Sequence, residues 1–166
     1  MESLSSNNIS SDQDTSPAHE VLTFVLGEHR FGVWPEDLLE IVEESMYIPV
    51  PNSPDFLTGI VNSHGRVVAV IDITKIIKSR SFQLTGTRRI AVLKDSDFMI
   101  GLLVPSLLMI NLYSGEMEDL GAGSVDFFKK VKFATDDGEE VVDILVADSV
   151  YGYLKDYFKQ LSIKSM

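Results

Sequence analysis

Two apolar runs joined by Asn62-Ser63-His64-Gly65 constrain this chain more than any other stretch. Leu57 to Val61 precedes the polar tetrapeptide, and Val67 to Ile73 follows it. Asn at the first turn position and Gly at the last suit a type I turn, with Gly free to take positive φ. A β-hairpin is therefore predicted. The second run is apolar on both faces: Val67, Ala69, Ile71 and Ile73 point one way, Val68 and Val70 the other. A strand buried on both sides is usually central, so this second strand is expected inside a barrel or sandwich. Asp72 interrupts the run. Ile73 to Ile77 then reads as a short helix with Asp72 near its N-cap.

Upstream, residues 1–19 are rich in Ser, Asn and Asp and poor in apolar residues. Such a segment buries too little surface to offset its ordering entropy, so a disordered tail is expected. Val21 to Leu26 reads as a strand, Gly27-Glu28 as a tight turn and Arg30 to Trp34 as the return strand. Gly32 within it allows a close approach or a bulge. Pro35, followed by Glu36 and Asp37, suits the start of a helix, with Leu38, Ile41 and Val42 as its apolar stripe. Pro49, Pro51 and Pro54 make the next stretch extended and irregular.

The second half echoes the first. Ile90 to Leu93, a turn at Asp95-Ser96 and Phe98 to Leu102 repeat the plan of Val21 to Val33, with Gly32 and Gly101 in like places. Asp126-Phe127 echoes Asp55-Phe56. Thr135 to Gly138 echoes Asn62 to Gly65, and Val141 to Val146 echoes Val67 to Ile73. An internal duplication of this kind predicts two similar β-lobes, and short strands with frequent turns favour small barrels. Lobe one is expected over about 20–80 and lobe two over about 81–161, joined through the polar loop Ser79 to Thr87, with 162–166 as the C-terminal end. Leu107 to Leu112 reads as a further strand and Ser114 to Gly123 as an acidic loop. Ala147 to Leu161 reads as an amphipathic helix with Val150, Leu154, Tyr157 and Leu161 on one face and Asp148 or Ser149 as cap.

Composition narrows the function. The chain has 166 residues, a net charge of −11 and no cysteine. The acidic balance argues against binding a phosphate backbone or an anionic membrane surface. The missing thiols exclude disulfides, thiol catalysis and cysteine-ligated zinc. No apolar run approaches the ~18 residues of a membrane span, and no secretory pattern opens the chain. A cytoplasmic location is the expectation.

Chemistry-bearing groupings are sparse. His19, His29 and His64 fall in the tail and in two separate turns, so no metal site is expected. Asp136, Asp137, Glu139 and Glu140 cluster, but around Gly138 they read as a solvated turn. No nucleophile elbow or phosphate-binding loop is present. Tyr151, Tyr153 and Tyr157 read as helix packing with their polar tips reaching water. Neither enzyme chemistry nor a cofactor is expected.

The central stretch resembles the signature of the CheW family of chemotaxis coupling proteins. Pro54, Phe56, Gly59, Asn62, Gly65 and Asp72-Ile73 all match it in order and spacing. His64 stands where the family has a turn Arg, and Ala69 where it usually has Pro. The resemblance covers roughly 20–161. It implies a mainly β fold of two five-stranded SH3-like barrels sharing a core. It also implies a non-catalytic adaptor between the cytoplasmic tip of a chemoreceptor and the regulatory domain of a CheA-type histidine kinase, recruited to membrane-bound receptor arrays. By position it points to Gly59, Asn62, His64, Gly65, Arg66 and Asp72 as the partner-binding set, with Gly59 permitting close approach and Asp72 holding the hairpin base. Two alternatives remain open: a divergent module of the same kind in another two-component pathway, and a small-ligand sensor or enzyme using the groove between lobes.

Overall fold

The structure is a computed structural model that describes residues 18–77, 84–94, 98–123 and 126–164. The expected tail up to residue 17, most of the loop between lobes and the turn at Asp95-Ser96 lie outside the described residues, while His19, expected in the tail, opens the first strand.

The chain is mainly β, in two antiparallel-rich sheets, with a C-terminal helix. Its strands are β1 (His19–Leu26), β2 (His29–Val33), β3 (Leu38–Glu43), β4 (Leu57–Ser63), β5 (Arg66–Ile71), β6 (Arg88–Leu93), β7 (Met99–Pro105), β8 (Met109–Tyr113), β9 (Met117–Ala122), β10 (Phe128–Thr135) and β11 (Gly138–Leu145). A 3-10 turn spans Pro35–Asp37, helix α1 spans Ile73–Ile77 and helix α2 spans Ala147–Lys164. One sheet has six strands in the order β8-β1-β2-β11-β10-β9, the other five in the order β3-β6-β7-β5-β4.

The sheets do not follow the expected cut near residue 80. The first hairpin, β1-β2, joins the late strands, because β2 pairs in parallel with β11. The second hairpin, β6-β7, joins the early strands, because β7 pairs in parallel with β5. Each half of the chain thus gives one hairpin to the sheet of the other. The two sheets follow one plan: β3, β6, β7, β5 and β4 match β8, β1, β2, β11 and β10 in order. Even the backbone bonds at the helix entrances correspond. Asp72 N donates to Phe56 O at 2.8 Å, and Val146 N donates to Phe127 O at 2.7 Å.

The extra strand β9 corrects the expected acidic loop, which forms only as far as the link at 114–116. All six β9 residues are exposed, so no alternation of apolar side chains marks the strand in the sequence. Its counterpart in the other sheet shrinks to a single bridge, Ile48 to Ile60. Pro49 and Pro51 flank the continuation of that segment, and proline has no N–H to offer a ladder. This accounts for six strands in one sheet and five in the other.

The helix expected after Pro35 is also corrected. Proline does open a helical turn, but that turn ends at Asp37 and β3 follows. Burial alternates strictly along Leu38–Glu43, the period of a strand. At the other end, α2 runs to Lys164, and Asp148 falls in its first turn and not at the cap.

Among the described residues, three apolar clusters hold the molecule together. The largest lies between the sheets and takes Phe24, Phe31, Ile71, Leu93, Ile100 and Leu145 with Val150, Tyr151 and Leu154 of α2. A second, around Phe133 and Ile144, fills the inside of the six-stranded sheet. A third, around Val68, Val70 and Ile90, fills the inside of the five-stranded one. Strand β5 serves two of them, Ile71 facing the shared core and Val68 and Val70 the lobe interior. This is the two-faced burial its sequence predicts.

Candidate partner-binding hairpin

Strands β4 and β5 pair from Leu57↔Ile71 to Ser63↔Arg66, which leaves His64 and Gly65 as a two-residue turn. Their φ values are 49° and 80°. Positive φ at both central positions is the type I′ pattern, whose twist matches that of the flanking strands. The expected type I turn is corrected on this point: the turn begins at Ser63, and Asn62 is the last residue before it. Asn62 still shapes the tip, since its Oδ1 accepts from Gly65 N at 2.8 Å.

A small polar network fixes the tip against β3. Ser63 Oγ donates to Glu40 Oε1 at 2.7 Å. His64 Nδ1 lies 3.3 Å from Glu40 Oε2. The His64 side chain is 72% exposed and that of Glu40 23%, so the ring stands in solvent above a half-buried carboxylate. Arg66 and Val67 follow on the exposed side of the turn. Asn62, His64, Gly65 and Arg66 are thus brought together in one exposed knuckle.

The other two expected site residues lie elsewhere. Gly59 sits deeper in β4 with φ 151°, and a Cβ there would meet Ile48 O at 2.9 Å and Tyr47 Cβ at 3.0 Å. Its role is the close approach of the 47–48 segment. Asp72 lies at the far end of β5, about 20 Å of strand from the turn. It is buried, and its Oδ1 accepts from Thr74 N at 3.1 Å and Thr74 Oγ1 at 2.5 Å. That arrangement is the predicted N-cap of α1, turned into the protein.

A second polar cluster sits along β3 and β6. Arg88 Nε donates to Glu44 Oε2 at 3.1 Å, and its second nitrogen to Oε1 at 2.5 Å. Tyr47 Oη donates to the same Oε1 at 2.8 Å. Burial would raise the Glu44 carboxyl, but the hydrogen bonds from Arg88 and Tyr47 outweigh it and hold the group below its ordinary 4.5. Burial, then the bond to Glu44, push the Tyr47 hydroxyl well above its ordinary 10. Neither Glu40 nor Glu44 is part of the sequence-based site. The residues of 38–43 do not alternate apolar and polar in the sequence; only burial alternates there, with Leu38, Glu40 and Val42 on the less exposed face.

Among the described residues no group of His, Asp and Glu is arranged to hold a metal ion. No described helix is long and apolar enough to cross a membrane.

The comparisons with known proteins converge. The family model for the CheW-like domain matches residues 20–150. The chain is 30% identical over 119 residues to a chemotaxis protein CheW of Thermotoga maritima, covering 72% of this chain and 78% of that one. It is 25% identical over 92 residues to protein FrzA of Myxococcus xanthus, covering 55% of this chain and 58% of the relative. Among solved structures, the scaffolding protein TtCheW of Thermoanaerobacter tengcongensis matches with a TM-score of 0.64 at 22% identity, over 78% of this chain and 84% of that one. At that identity the match speaks for the fold. The family model spans both hairpins of each sheet and the knuckle between β4 and β5, and by that match the chain belongs to the CheW-like domain family.

Proposed function

We propose that this protein is a non-catalytic adaptor that couples a chemoreceptor tip to the regulatory domain of a CheA-type histidine kinase, with the β4-β5 knuckle as one of its contact surfaces. The family supports a chemotaxis-type scaffold. The observation that carries the finer reading is the fixed, exposed turn: His64 is held out in solvent on a hairpin locked by Ser63, Glu40 and Asn62. A surface pre-set in this way loses little freedom when a partner docks, which favours recognition. Gly59 and Asp72 act beneath it, one by close packing and one by capping α1.

The substitution of His for the family Arg sets the strength of the contact. Arginine carries five donors in a rigid fork and stays charged, whereas free histidine is mostly neutral at pH 7. An Arg at 64 can keep Glu40 and still reach a partner carboxylate. Titration of the purified protein against a CheA-type regulatory domain and a receptor-tip fragment tests the reading. Binding is expected, tightened several-fold by His64→Arg, because a permanently charged five-donor fork replaces the imidazole. Binding that ignores every substitution at 62, 64 and 66 removes the knuckle from the account. No binding to either partner by the folded protein removes the adaptor reading.

A further inference from the structure

Helix α2 outruns the body it packs on. Its buried residues are Val150, Tyr151 and Leu154, and none of the ten from Lys155 to Lys164 is buried. Those ten residues add about 15 Å of helix. They are not polar all round. Phe158 is 41% and Ile163 71% exposed. An overhanging helix of this length is marginal in water by itself and gains from a cover on its apolar side.

The overhang forms one wall of a groove of about 670 Å³ lined by Phe98, Lys155, Phe158, Lys159, Ser162 and Ile163. The five helical residues follow i, i+3, i+4, i+7 and i+8 spacing, so they make one stripe. Phe98 also meets the buried Tyr151 edge-on at 5.4 Å, which anchors it to the body of the protein. On its other side Phe98 precedes Met99, which pairs with Val68 across β5 and β7.

Charge selects the occupant. The protein carries −11 overall, yet the segment 155–164 contains three lysines, Lys155, Lys159 and Lys164, and one carboxylate, Asp156. Two of these lysines, Lys155 and Lys159, line the groove beside its apolar floor of two phenylalanines and an isoleucine. An approaching acidic partner, otherwise repelled by this acidic surface, meets attraction there. Grooves walled by one helix accept the apolar face of a second.

We propose that the groove between Phe98 and the overhang of α2 binds an amphipathic helix of another protein that sets carboxylates beside its apolar stripe. The adaptor reading does not require this surface, and the proposal stands whether or not the hairpin contacts a kinase.

The test uses the full chain and two labelled synthetic peptides of about fourteen residues, with the same leucine stripe flanked in one by Glu and in the other by Lys. Fluorescence anisotropy is expected to show the Glu peptide binding at least about tenfold tighter at low salt, with the gap closing as salt screens the rim. Amide shifts on binding should map to Phe98 and the 155–163 stripe. Phe158→Ser should weaken both peptides, and the double variant K155E/K159E should reverse the preference. The lysine variant alters only rim charge, so it decides the matter even if the Phe158 change unsettles the helix. Equal binding of both peptides, no binding, or shifts mapped elsewhere overturns the proposal. A concentration-dependent dimer abolished by Phe158→Ser overturns it in favour of a second copy of this chain.

Discussion

Gly32 and Gly101 hold equivalent places in the two sheets, each at the point where a hairpin from one half of the chain meets a strand from the other. A Cβ on Gly32 would stand 2.7 Å from Val21 Cγ1, 2.8 Å from Ile144 Cδ1 and 3.0 Å from Val142 Cγ1. A Cβ on Gly101 would meet Val68 Cγ1 at 3.1 Å and Ile90 Cγ2 closer still. In both cases the neighbours come from the antiparallel partner and from the parallel strand across the seam.

Adding a methyl at these seams should overpack them. Gly101→Ala is expected to cost about 1–3 kcal/mol, since the branched Ile90 is fully buried and has little room to turn. Gly32→Ala should cost somewhat less, because its nearest approach, 2.7 Å to Val21 Cγ1, is longer than that at Gly101, and Ile144 meets it with the far end of its side chain. Thermal unfolding of the two variants checks both the sign and the order. Unchanged midpoints for both would mean that the seams are looser than described.

His64 occupies a turn position with φ 49°. Asparagine tolerates that conformation better than histidine and is favoured in type I′ turns. His64→Asn should therefore raise stability by a few tenths of a kcal/mol, about the scale of turn preferences. It also removes the imidazole beside Glu40. Urea unfolding gives the first effect and partner titration the second, so the turn's folding role and its contact role separate in one variant. A clear loss of stability would show that the Glu40 contact outweighs the backbone preference.

Asp72 is a cap turned inward. Asp72→Ala should destabilise by about 0.5–2 kcal/mol, the usual cost of losing an N-cap acceptor. Asp72→Asn keeps an oxygen for Thr74 N and should stay close to the parent protein. If the folded Asn variant instead lost partner affinity, the carboxylate would have a contact role beyond its cap.

The Glu44 cluster ties stability to pH at both ends. Glu44 titrates below its ordinary 4.5 in the folded protein, so its contribution is complete above 4.5 and is lost as pH falls through the lower folded value. Tyr47 titrates above its ordinary 10, so its contribution is complete below 10 and is lost as pH rises toward the higher folded value. Glu44→Gln should flatten the acid limb of a stability profile, and Tyr47→Phe the alkaline limb. Parallel profiles for parent and variants would place the dependence in other groups.

Much of the fold is legible in the sequence because burial leaves period-two traces. Strand β5, its partner β4, the capped α1 and the amphipathic start of α2 all write their environment into side-chain alternation or spacing. Strand β9 writes nothing, since it is exposed on both faces. Strand β3 misleads, because Pro35 with two acidic residues opens a real helical turn that then stops. The knuckle residues Asn62, His64, Gly65 and Arg66 come together as expected. Glu40 and Glu44 do not stand out, since their partners Ser63 and Arg88 are 23 and 44 residues away. The duplication is readable, but its exchange between sheets is not: the parallel pairings β2-β11 and β5-β7 are tertiary choices that leave no local mark.

That exchange has a consequence for synthesis of the chain. When the first half has left the ribosome, β1-β2 and β4-β5 exist without the strands that complete either sheet. The five-stranded sheet must wait for Pro105, and the six-stranded one for Leu145. Long-range pairing of this sort slows folding and leaves unpaired edges in the meantime. The five-stranded sheet, drawn from the unbroken run β3 to β7, can close first, while the β1-β2 hairpin that precedes it waits across that whole span for β11.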